Sequence, residues 1–323
     1  MLRLIDLPKE YDAGGNSDGR VLAADRLNLE VGAGEVFGLI GPNGAGKSTT
    51  LRMICGLLWP TAGRVLVHNA DVEQRREEAQ QYIGYLADFF SLYDELTVFQ
   101  YLEYFARAYK LPTQSAPARV TELILRVGLE TKRDAPIVGL SRGMKQRLGI
   151  ARAVIHDPPL IVLDEPAAGL DPKSRHDLKQ LLRGFHAGGR TIVIASHVLS
   201  DLDEICTSIG ILEKGRLIRV GKIEEIMQAA PAPHAGAAIP PRMIRIRLST
   251  PGFALDSWLA GRPGVSRVVE SRLGTLFEFA GTEADLSELV KALVTAGAPL
   301  AAVEQPGLTL EEAYSRIAKG EVM

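Results

Sequence analysis

Short apolar runs alternate with helical spacing over the first two thirds of the chain. The runs at residues 36–40, 160–163 and 191–195 are rich in β-branched residues, and helical stretches follow them. This alternation predicts an α/β fold with a largely parallel sheet and helices packed against it. Residues 88–158 differ, because VFQYLEYFARAYKL and VTELILRVGL have helical spacing and little strand character. We expect a mostly helical insertion there, between two strands of the sheet.

A linker and a smaller domain are predicted after residue 228. Residues 229–241, AAPAPHAGAAIPP, are rich in alanine and proline and nearly uncharged, as is typical of a linker. Beyond them, MIRIRLS, VSRVVES and TLFEFAG alternate like strands, and helical patterns lie at residues 254–260, 284–296 and 310–318. This order predicts a C-terminal α+β domain of ferredoxin-like type over residues 242–323.

The composition is that of a globular protein, and 323 residues favour two domains. The net charge is −2, whereas a dedicated nucleic-acid-binding protein would usually be basic, so no nucleic acid is expected as a partner. Cys55 and Cys206 have no metal-ligand spacing, and no apolar run reaches 18 residues. We therefore expect no disulfide framework, no zinc site and no membrane span.

The most specific motif is GPNGAGKS at residues 41–48, which fits the phosphate-binding pattern G-x-x-x-x-G-K-[ST]. It follows the apolar run VFGLI and opens a helical segment, as the pattern requires. Backbone N–H groups of such a loop surround phosphate oxygens, and the helix adds its positive end. Lys47 is expected to reach the β and γ phosphates, and Ser48 to bind Mg²⁺. The residues assigned to nucleotide binding here are Gly41, Pro42, Asn43, Gly44, Ala45, Gly46, Lys47, Ser48 and Thr49.

Polar side chains end two other buried strands. Asp164 and Glu165 follow the run LIVL, at the carboxyl end of a strand, where open α/β sheets bind ligands. Asp164 suits Mg²⁺, directly or through water, and Glu165 suits polarising an attacking water. His197 follows the run TIVIAS and is interpreted as a contact for a γ-phosphate. For Asp164 and Glu165 the alternative is a solvated acidic turn, and for His197 it is a structural histidine.

A second segment, VGLSRGMKQR at residues 138–147, also has the features of an anion site. Ser141 can cap the helix that begins there, and Gly143 lets a backbone come very close. The chain thus has two places shaped for phosphate, although its sequence contains no second copy of the phosphate-binding loop.

The ordered set GPNGAGKS, LSRGMKQR, LIVLDEP, AAGLDP and ASH resembles the nucleotide-binding subunit of ATP-binding-cassette (ABC) transporters over about residues 1–225. The linker and the small domain, with its ending PGLTLEEAYSRIAKG, are similar to the tail of ABC-2-type exporter ATPases. The resemblance implies a P-loop NTPase cassette over residues 1–228, with a RecA-like core and a helical subdomain over about residues 88–158.

In that family two cassettes pack head to tail around two ATP molecules. The resemblance implies that Ser141 and Gly143 contact the ATP held by the other subunit's phosphate-binding loop, so that the second apparent phosphate site is half of a shared one. It also implies that Tyr11 stacks on adenine, that Asp171 communicates between subunits and that His197 senses the γ-phosphate. For Tyr11 the alternative is an ordinary tyrosine at the end of a strand, and for Asp171 it is an aspartate that starts a turn.

Two places depart from the family pattern. The family usually carries Gly-Tyr-Leu-Pro followed by a glutamine, whereas this chain has Ala87 and Asp88 after Gly-Tyr-Leu. The family's signature motif, commonly LSGGQ, reads LSRGM at residues 140–144, with Arg142 and Met144, and is called the signature segment or signature loop below. Relatives in the exporter branch often have an acid at the first place. Asp88 could ligate Mg²⁺ through water, but a carboxylate donates no hydrogen bond when ionised. The alternative is a solvated acidic loop residue.

The resemblance implies an ATPase, with ATP and Mg²⁺ as cofactors and Lys47, Glu165 and His197 as catalytic residues. It would form a homodimer or a heterodimer and energise export through a separate ABC-2-type membrane permease, attached by it to the cytoplasmic face of the membrane. The aromatic residues of DFFSLY and YLEYFARAY lie where the family docks the permease, unless they are only the insertion's core. The alternative functions are a soluble ABC ATPase and a low-turnover ATP-binding regulator.

Overall fold

The computed structural model describes residues 1–12, 20–199, 202–228, 241–271 and 274–305. The chain divides into two compact units, Met1–Ile226 and Met227–Met323. Most of the predicted linker and the helix predicted at residues 310–318 lie outside the described residues. Among the helices that the structure describes, none is both long and apolar enough to cross a membrane.

The strands and helices up to residue 228 follow in chain order. The strands are β1 (Leu2–Asp12), β2 (Arg20–Val31), β3 (Val36–Ile40), β4 (Arg64–Val67), β5 (Ala70–Asp71), β6 (Ile83–Leu86), β7 (Leu160–Asp164), β8 (Thr191–Ser196), β9 (Ser208–Glu213) and β10 (Arg216–Lys222). The α-helices are α1 (Lys47–Ile54), α2 (Arg76–Gln81), α3 (Val98–Ala108), α4 (Ala116–Arg126), α5 (Arg142–Ala153), α6 (Pro172–Ala187) and α7 (Ile223–Gln228).

A largely parallel sheet forms the centre of the first unit and confirms the predicted α/β fold. Its order is β10-β9-β3-β8-β7-β6, with β10 antiparallel to its neighbour and the other pairs parallel. Every residue of β3, β7 and β8 is buried. This burial on both faces explains why their sequences are continuous apolar runs rather than alternating ones.

A second, antiparallel sheet of order β2-β1-β4-β5 packs onto the first and was not anticipated from the sequence. Leu2 and Leu27 from this sheet share one buried core with Phe37 of β3 and Met53 of α1. The strands β1 and β2 pair from Leu2–Val31 to Asp12–Arg20, with register shifts along the way. Helix α1, which follows the phosphate-binding motif, is therefore enclosed by buried side chains from both sheets.

The interval between β6 and β7 is helical, as predicted. It contains α3, α4, α5 and the short 3-10 turns Glu130–Lys132 and Ile137–Gly139. Helix α3 begins at a capping box, in which Thr97 and Gln100 each accept a hydrogen bond from the other's backbone N–H. Helix α5 returns to the sheet and packs closely on β6 at Gly84, where a Cβ would lie 2.3 Å from the carbonyl oxygen of Ala153.

The described part of the second unit confirms the β-α-β-β-α-β order. It contains β11 (Arg242–Leu248), α8 (Leu255–Leu259), β12 (Val265–Ser271), β13 (Gly274–Phe279), α9 (Glu283–Thr295) and β14 (Leu300–Glu304). The sheet has the antiparallel order β12-β13-β11-β14, which is the ferredoxin-like arrangement. Ile244 and Phe277 of the sheet are buried in a core with Leu259 and Leu293 of the helices.

The close packing at Gly84 predicts a specific loss of stability. Gly84→Ala should lower the free energy of unfolding by about 1–3 kcal/mol, because the added methyl group has to displace backbone. Gly184→Ala in α6 is the matched control, since a Cβ there meets nothing within 4 Å, and it should raise stability by about 0.5–1 kcal/mol. Urea unfolding of the two variants measures both values. Equal changes in the free energy of unfolding of the two variants would contradict the close packing at Gly84.

His156 predicts a pH dependence of stability. Its Nε2 lies 3.1 Å from the carbonyl oxygen of Ile83, and its ring stacks on Tyr109. Burial lowers the pKa of His156 to about 4, from an ordinary value of 6.5, although the bond to Ile83 opposes this. The unfolded chain therefore binds more protons between pH 6.5 and 4, and the stability present above pH 6.5 is lost as the pH falls.

His156→Phe should remove this part of the acid sensitivity. From pH 7 to pH 5, His156 should account for a loss of about 1–2 kcal/mol in the free energy of unfolding. Urea unfolding of the wild-type chain and the variant at both pH values gives the difference. The same loss in both chains would show that His156 is not the group responsible.

Candidate nucleotide-binding site

The phosphate-binding motif forms a turn between β3 and α1 that only glycines allow at its closest contacts. A Cβ at Gly41 would lie 2.1 Å from the carbonyl oxygen of Leu212, and a Cβ at Gly46 2.2 Å from that of Ala23. Gly46 also has a φ of +104°, in the region that favours glycine. The tip at Gly44 is open, because a Cβ there meets nothing within 4 Å. The loop is thus held by backbone at its base and open at its tip.

The N-terminus of α1 is free to receive an anion. Its first turn has no acidic residue, and within the described part of the chain no side chain caps its N–H groups. Helix N-termini leave N–H groups without partners inside the helix, and such groups bind phosphate oxygens well. The loop and helix formed by residues 41–49 therefore have the shape and polarity of a phosphate site.

Lys47 lies back over the loop. Its side chain is 6% exposed, and Nζ donates to the carbonyl oxygens of Gly41 at 2.7 Å and Pro42 at 3.2 Å. The same Nζ is 3.4 Å from Oε1 of Glu165. The structure thus brings the lysine of the phosphate-binding loop next to the acid that follows β7.

Asp164 provides a buried carboxylate beside Ser48. It is 2% exposed, and its Oδ1 has no hydrogen-bond partner among the described residues. Burial raises the pKa of Asp164, and the charges of Glu165 and Asp88 add to this, while a hydrogen bond with Ser48 opposes it. A buried acidic oxygen without a partner beside a hydroxyl fits Mg²⁺, which prefers oxygen ligands and takes few of them from the protein when phosphate is present.

Glu165 is held between Lys47 and His197. Its Oε2 accepts a hydrogen bond from Nδ1 of His197 at 2.8 Å and another from the backbone N–H of His197 at 3.3 Å. Its own N–H donates to the carbonyl oxygen of Ala195 at 2.9 Å, and its φ is +47°. A non-glycine residue in this conformation is uncommon, and such residues concentrate at functional sites. The side chain is thus fixed at both oxygens.

Asp88 lies at the same edge of the sheet, two residues after β6. Burial raises the pKa of Asp88, and the charge of Glu165 raises it further, whereas Arg142 and His197 lower it. Asp88, Asp164 and Glu165 therefore act on one another electrostatically. Such a group of carboxylates favours a nearby cation. The predicted residues that the structure brings together here are Lys47, Ser48, Asp88, Asp164, Glu165 and His197.

The predicted site residues Ser141, Gly143 and Asp171 contact other parts of the chain, outside this group. Ser141 is exposed and caps α5, because its Oγ accepts from the N–H of Met144 at 3.3 Å. Gly143 is buried, and a Cβ there would lie 2.4 Å from Oγ of Ser174. Asp171 caps α6, and its hydrogen bonds with Ser174 lower the pKa of Asp171.

Tyr11 is a surface residue of β1. Its ring is 38% exposed, and Nζ of Lys9 lies 5.2 Å from the ring centroid. Tyr11 is thus partly exposed among the described residues, which is compatible with its interpretation as a stacking residue. The cation above it is a contact that the sequence analysis did not identify.

Two contacts near the signature segment and the loop after Glu165 were missed from the sequence. Nη2 of Arg142 donates to the carbonyl oxygen of Ala168 at 2.9 Å, and Ser174 bonds to both carboxylate oxygens of Asp171. Ser174 could have been found, because it lies three residues after a capping aspartate. The partner of Arg142 could not, since nothing in the local pattern connects residues 142 and 168.

Comparison with known proteins identifies the family. The profile of the family described as ABC transporter matches residues 24–168. The chain is 37% identical over 211 residues to Nod factor export ATP-binding protein I of Cupriavidus metallidurans, covering 65% of this chain and 70% of that protein. It is 41% identical over 217 residues to the protein of the same name in Burkholderia lata, covering 67% and 68%.

Solved structures agree with this assignment. An ATP-binding subunit of an ABC transporter superimposes with a TM-score of 0.62 and 31% identity, covering 71% of this chain and 92% of that one. A dimeric ATP-binding cassette in a post-hydrolysis state, bound to ADP and Pi, gives a TM-score of 0.62 and 28% identity, covering 69% and 99%. With the phosphate-binding loop and the acidic strand end in place, the chain belongs to the ABC transporter family, as one of its ATP-binding and ATP-hydrolysing subunits.

Proposed function

We propose that two subunits share each ATP and Mg²⁺, and that the resulting cycle energises export through a separate ABC-2-type membrane permease. The observation that carries the proposal is the position of Glu165. Its carboxylate lies 3.4 Å from Nζ of Lys47 and 2.8 Å from Nδ1 of His197, at the end of a strand beside the phosphate-binding loop. A base fixed in this way next to a phosphate site suits activation of water for phosphoryl transfer.

Different residues of the chain bind the phosphates, accept the proton and hold the ion. The N–H groups of residues 41–49 and Nζ of Lys47 bind and orient the phosphates. Glu165 accepts a proton from the attacking water at its carboxylate, and His197 holds that carboxylate and contacts the γ-phosphate. Ser48 and Asp164 would hold Mg²⁺, with Asp88 acting through water, and the ion supplies neutralisation of phosphate charge when bound.

The second phosphate-like segment supports a shared site. Ser141 is exposed at the N-terminus of α5, and the first turn of that helix has no acidic residue. A hydroxyl and N–H groups in this arrangement suit the γ-phosphate of an ATP bound by another subunit. The similar cassette that is dimeric and bound to ADP and Pi supports a dimer that binds nucleotide. Tyr11 would stack on adenine, and Asp171 would lie at the subunit boundary. The partner is a second copy or a homologue.

Exposed aromatic residues support docking to a permease. Phe89 is 90% exposed, and Tyr93 and Tyr104 are each 52% exposed and contact each other edge to face. Tyr101 is fully buried, so the aromatic residues of the insertion divide between its core and its surface. An exposed aromatic group of this kind is typical of an interaction site. The relatives are named as export proteins, which favours a membrane partner at the cytoplasmic face.

The substitution Glu165→Gln should trap an ATP-bound dimer. The substitution removes the proton acceptor but leaves the phosphate contacts, so ATP continues to hold the two subunits together. Hydrolysis should fall by on the order of a hundredfold or more. Size-exclusion chromatography with ATP and Mg²⁺, and again without nucleotide, measures the change.

Glu122→Gln is the matched control, because Glu122 is an exposed acid that pairs with Arg119 in α4. This variant should hydrolyse ATP at the wild-type rate and show no trapped dimer. A Glu165→Gln chain that stays monomeric with ATP would contradict the shared site.

The substitution Ser141→Arg should impair hydrolysis without preventing a single chain from binding ATP. Its bulk should block the other subunit's γ-phosphate and lower hydrolysis by on the order of a hundredfold. Binding of ATP by a single chain should persist, because residues 41–49 are unchanged. Fluorescent-nucleotide titration at low protein concentration measures the binding, and phosphate release measures the hydrolysis.

Ser115→Arg is the control for Ser141→Arg, since Ser115 is likewise an exposed residue that precedes a helix. It should leave both quantities unchanged. If Ser141→Arg abolished ATP binding by the monomer, its assignment to the other subunit's site would be wrong.

A further inference from the structure

Arg142, at the N-terminus of α5, contacts the loop that follows Glu165. Its Nη2 donates to the carbonyl oxygen of Ala168 at 2.9 Å. Gly169 has a φ of +65°, and a Cβ there would lie 2.5 Å from Cζ of Arg142. The guanidinium group therefore lies directly on the backbone of these two residues, in a space that exists because residue 169 has no side chain.

The loop under Arg142 is a tight turn that begins at Glu165. The N–H of Ala168 donates to the carbonyl oxygen of Glu165 at 3.1 Å, and the N–H of Leu170 donates to that of Ala167 at 3.2 Å. Ala168 thus accepts a hydrogen bond from Arg142 and donates one to Glu165. Two hydrogen bonds in series connect the guanidinium group with the backbone of Glu165.

A second contact joins the same two segments further along the chain. A Cβ at Gly143 would lie 2.4 Å from Oγ of Ser174, so α5 and α6 approach each other closely at their first turns. Ser174 is fixed by Asp171, which accepts from its N–H at 3.0 Å and from its hydroxyl at 2.6 Å. The start of α5 therefore meets this chain segment at two places, at residues 168 and 169 of the loop and at Ser174 in the first turn of α6.

The charge of Arg142 is also directed toward its own subunit. A cation at the first position of a helix is unfavourable beside the positive end of the helix dipole. The hydrogen bond that Arg142 donates to the carbonyl oxygen of Ala168 offsets this cost and holds the guanidinium group against its own chain. These observations favour a role for Arg142 within its own chain over contact with the other subunit's nucleotide.

We propose that Arg142 is a positioning residue through which the signature loop of a subunit sets the position of Glu165 in that same subunit. The inference rests on the proposed function, in which Ser141 contacts the ATP of the other subunit. ATP bound at one shared site then acts, through Ser141, Arg142 and Ala168, on the base of the other site. The two sites are coupled by a contact inside each chain.

Mixed dimers of the full-length chain test this assignment. Two differently tagged copies are combined, and one copy always carries Glu165→Gln, so that only the Glu165 of the other copy is functional. Single-turnover hydrolysis of ATP is then measured in three pairs. The reference pair has no further change. The cis pair carries Arg142→Met on the copy with the functional Glu165, and the trans pair carries it on the copy with Glu165→Gln.

The cis pair should hydrolyse ATP about tenfold more slowly than the reference, the effect of losing one hydrogen bond with a charged donor. The trans pair should stay within about twofold of the reference, although its Arg142→Met lies in the signature loop that faces the reacting ATP. Arg142→Lys in the cis pair should recover part of the rate, because lysine keeps the charge and one donor. A purely structural effect of the substitution would not produce this asymmetry.

Other results would overturn the assignment. A cis pair as fast as the reference would show that Arg142 does not act on Glu165. An equal or greater loss in the trans pair would show that Arg142 contacts the nucleotide of the other subunit instead. A reference pair without any hydrolysis would contradict the shared site itself, and the role of Arg142 with it, so the two failures are distinguishable.

Discussion

The parallel register of three neighbouring strands determines where the candidate nucleotide-binding site of this subunit lies. In β3 and β8, Ile40 lies opposite Ser196, and in β7 and β8, Asp164 lies opposite Ala195. The strands therefore end within about one residue of each other, and the phosphate-binding loop, the acidic pair and His197 emerge at one edge. A slip of one residue in any of these pairs would separate Glu165 from Lys47 and turn buried side chains to the opposite face.

This edge concentrates charge in a poorly solvated place. Lys47 and Asp164 are both almost fully buried, and Asp88 and Glu165 add further negative charge nearby. Burial raises the pKa of Asp88 and of Asp164, and a cation bound beside these two carboxyl groups would oppose that rise. Binding of a cation at this edge is therefore coupled to the protonation of Asp88 and Asp164.

The sequence is sufficient for the parts of the fold and site that are local in the chain. GPNGAGKS requires a strand before it and a helix after it, and an apolar run such as LIVL must be buried, so Lys47 and Asp164 could be placed from sequence. The antiparallel sheet could not, because β1 and β2 are long, half-exposed strands whose pairing is decided by distant residues. Arg142 was visible only as a departure from a pattern, since its contact also depends on the left-handed backbone of Gly169.

The firm seating of the phosphate-binding loop has a consequence for the order of assembly. Gly41 and Gly46 rest against backbone of β9 and β2, and Lys47 already bonds to the loop's own carbonyl oxygens. A loop fixed in this way loses little conformational entropy when phosphate arrives, so preorganisation favours nucleotide capture by a lone chain. If two subunits share each ATP as proposed, loading would precede pairing, and the concentration of loaded subunits, rather than that of ATP alone, would govern how often two of them meet.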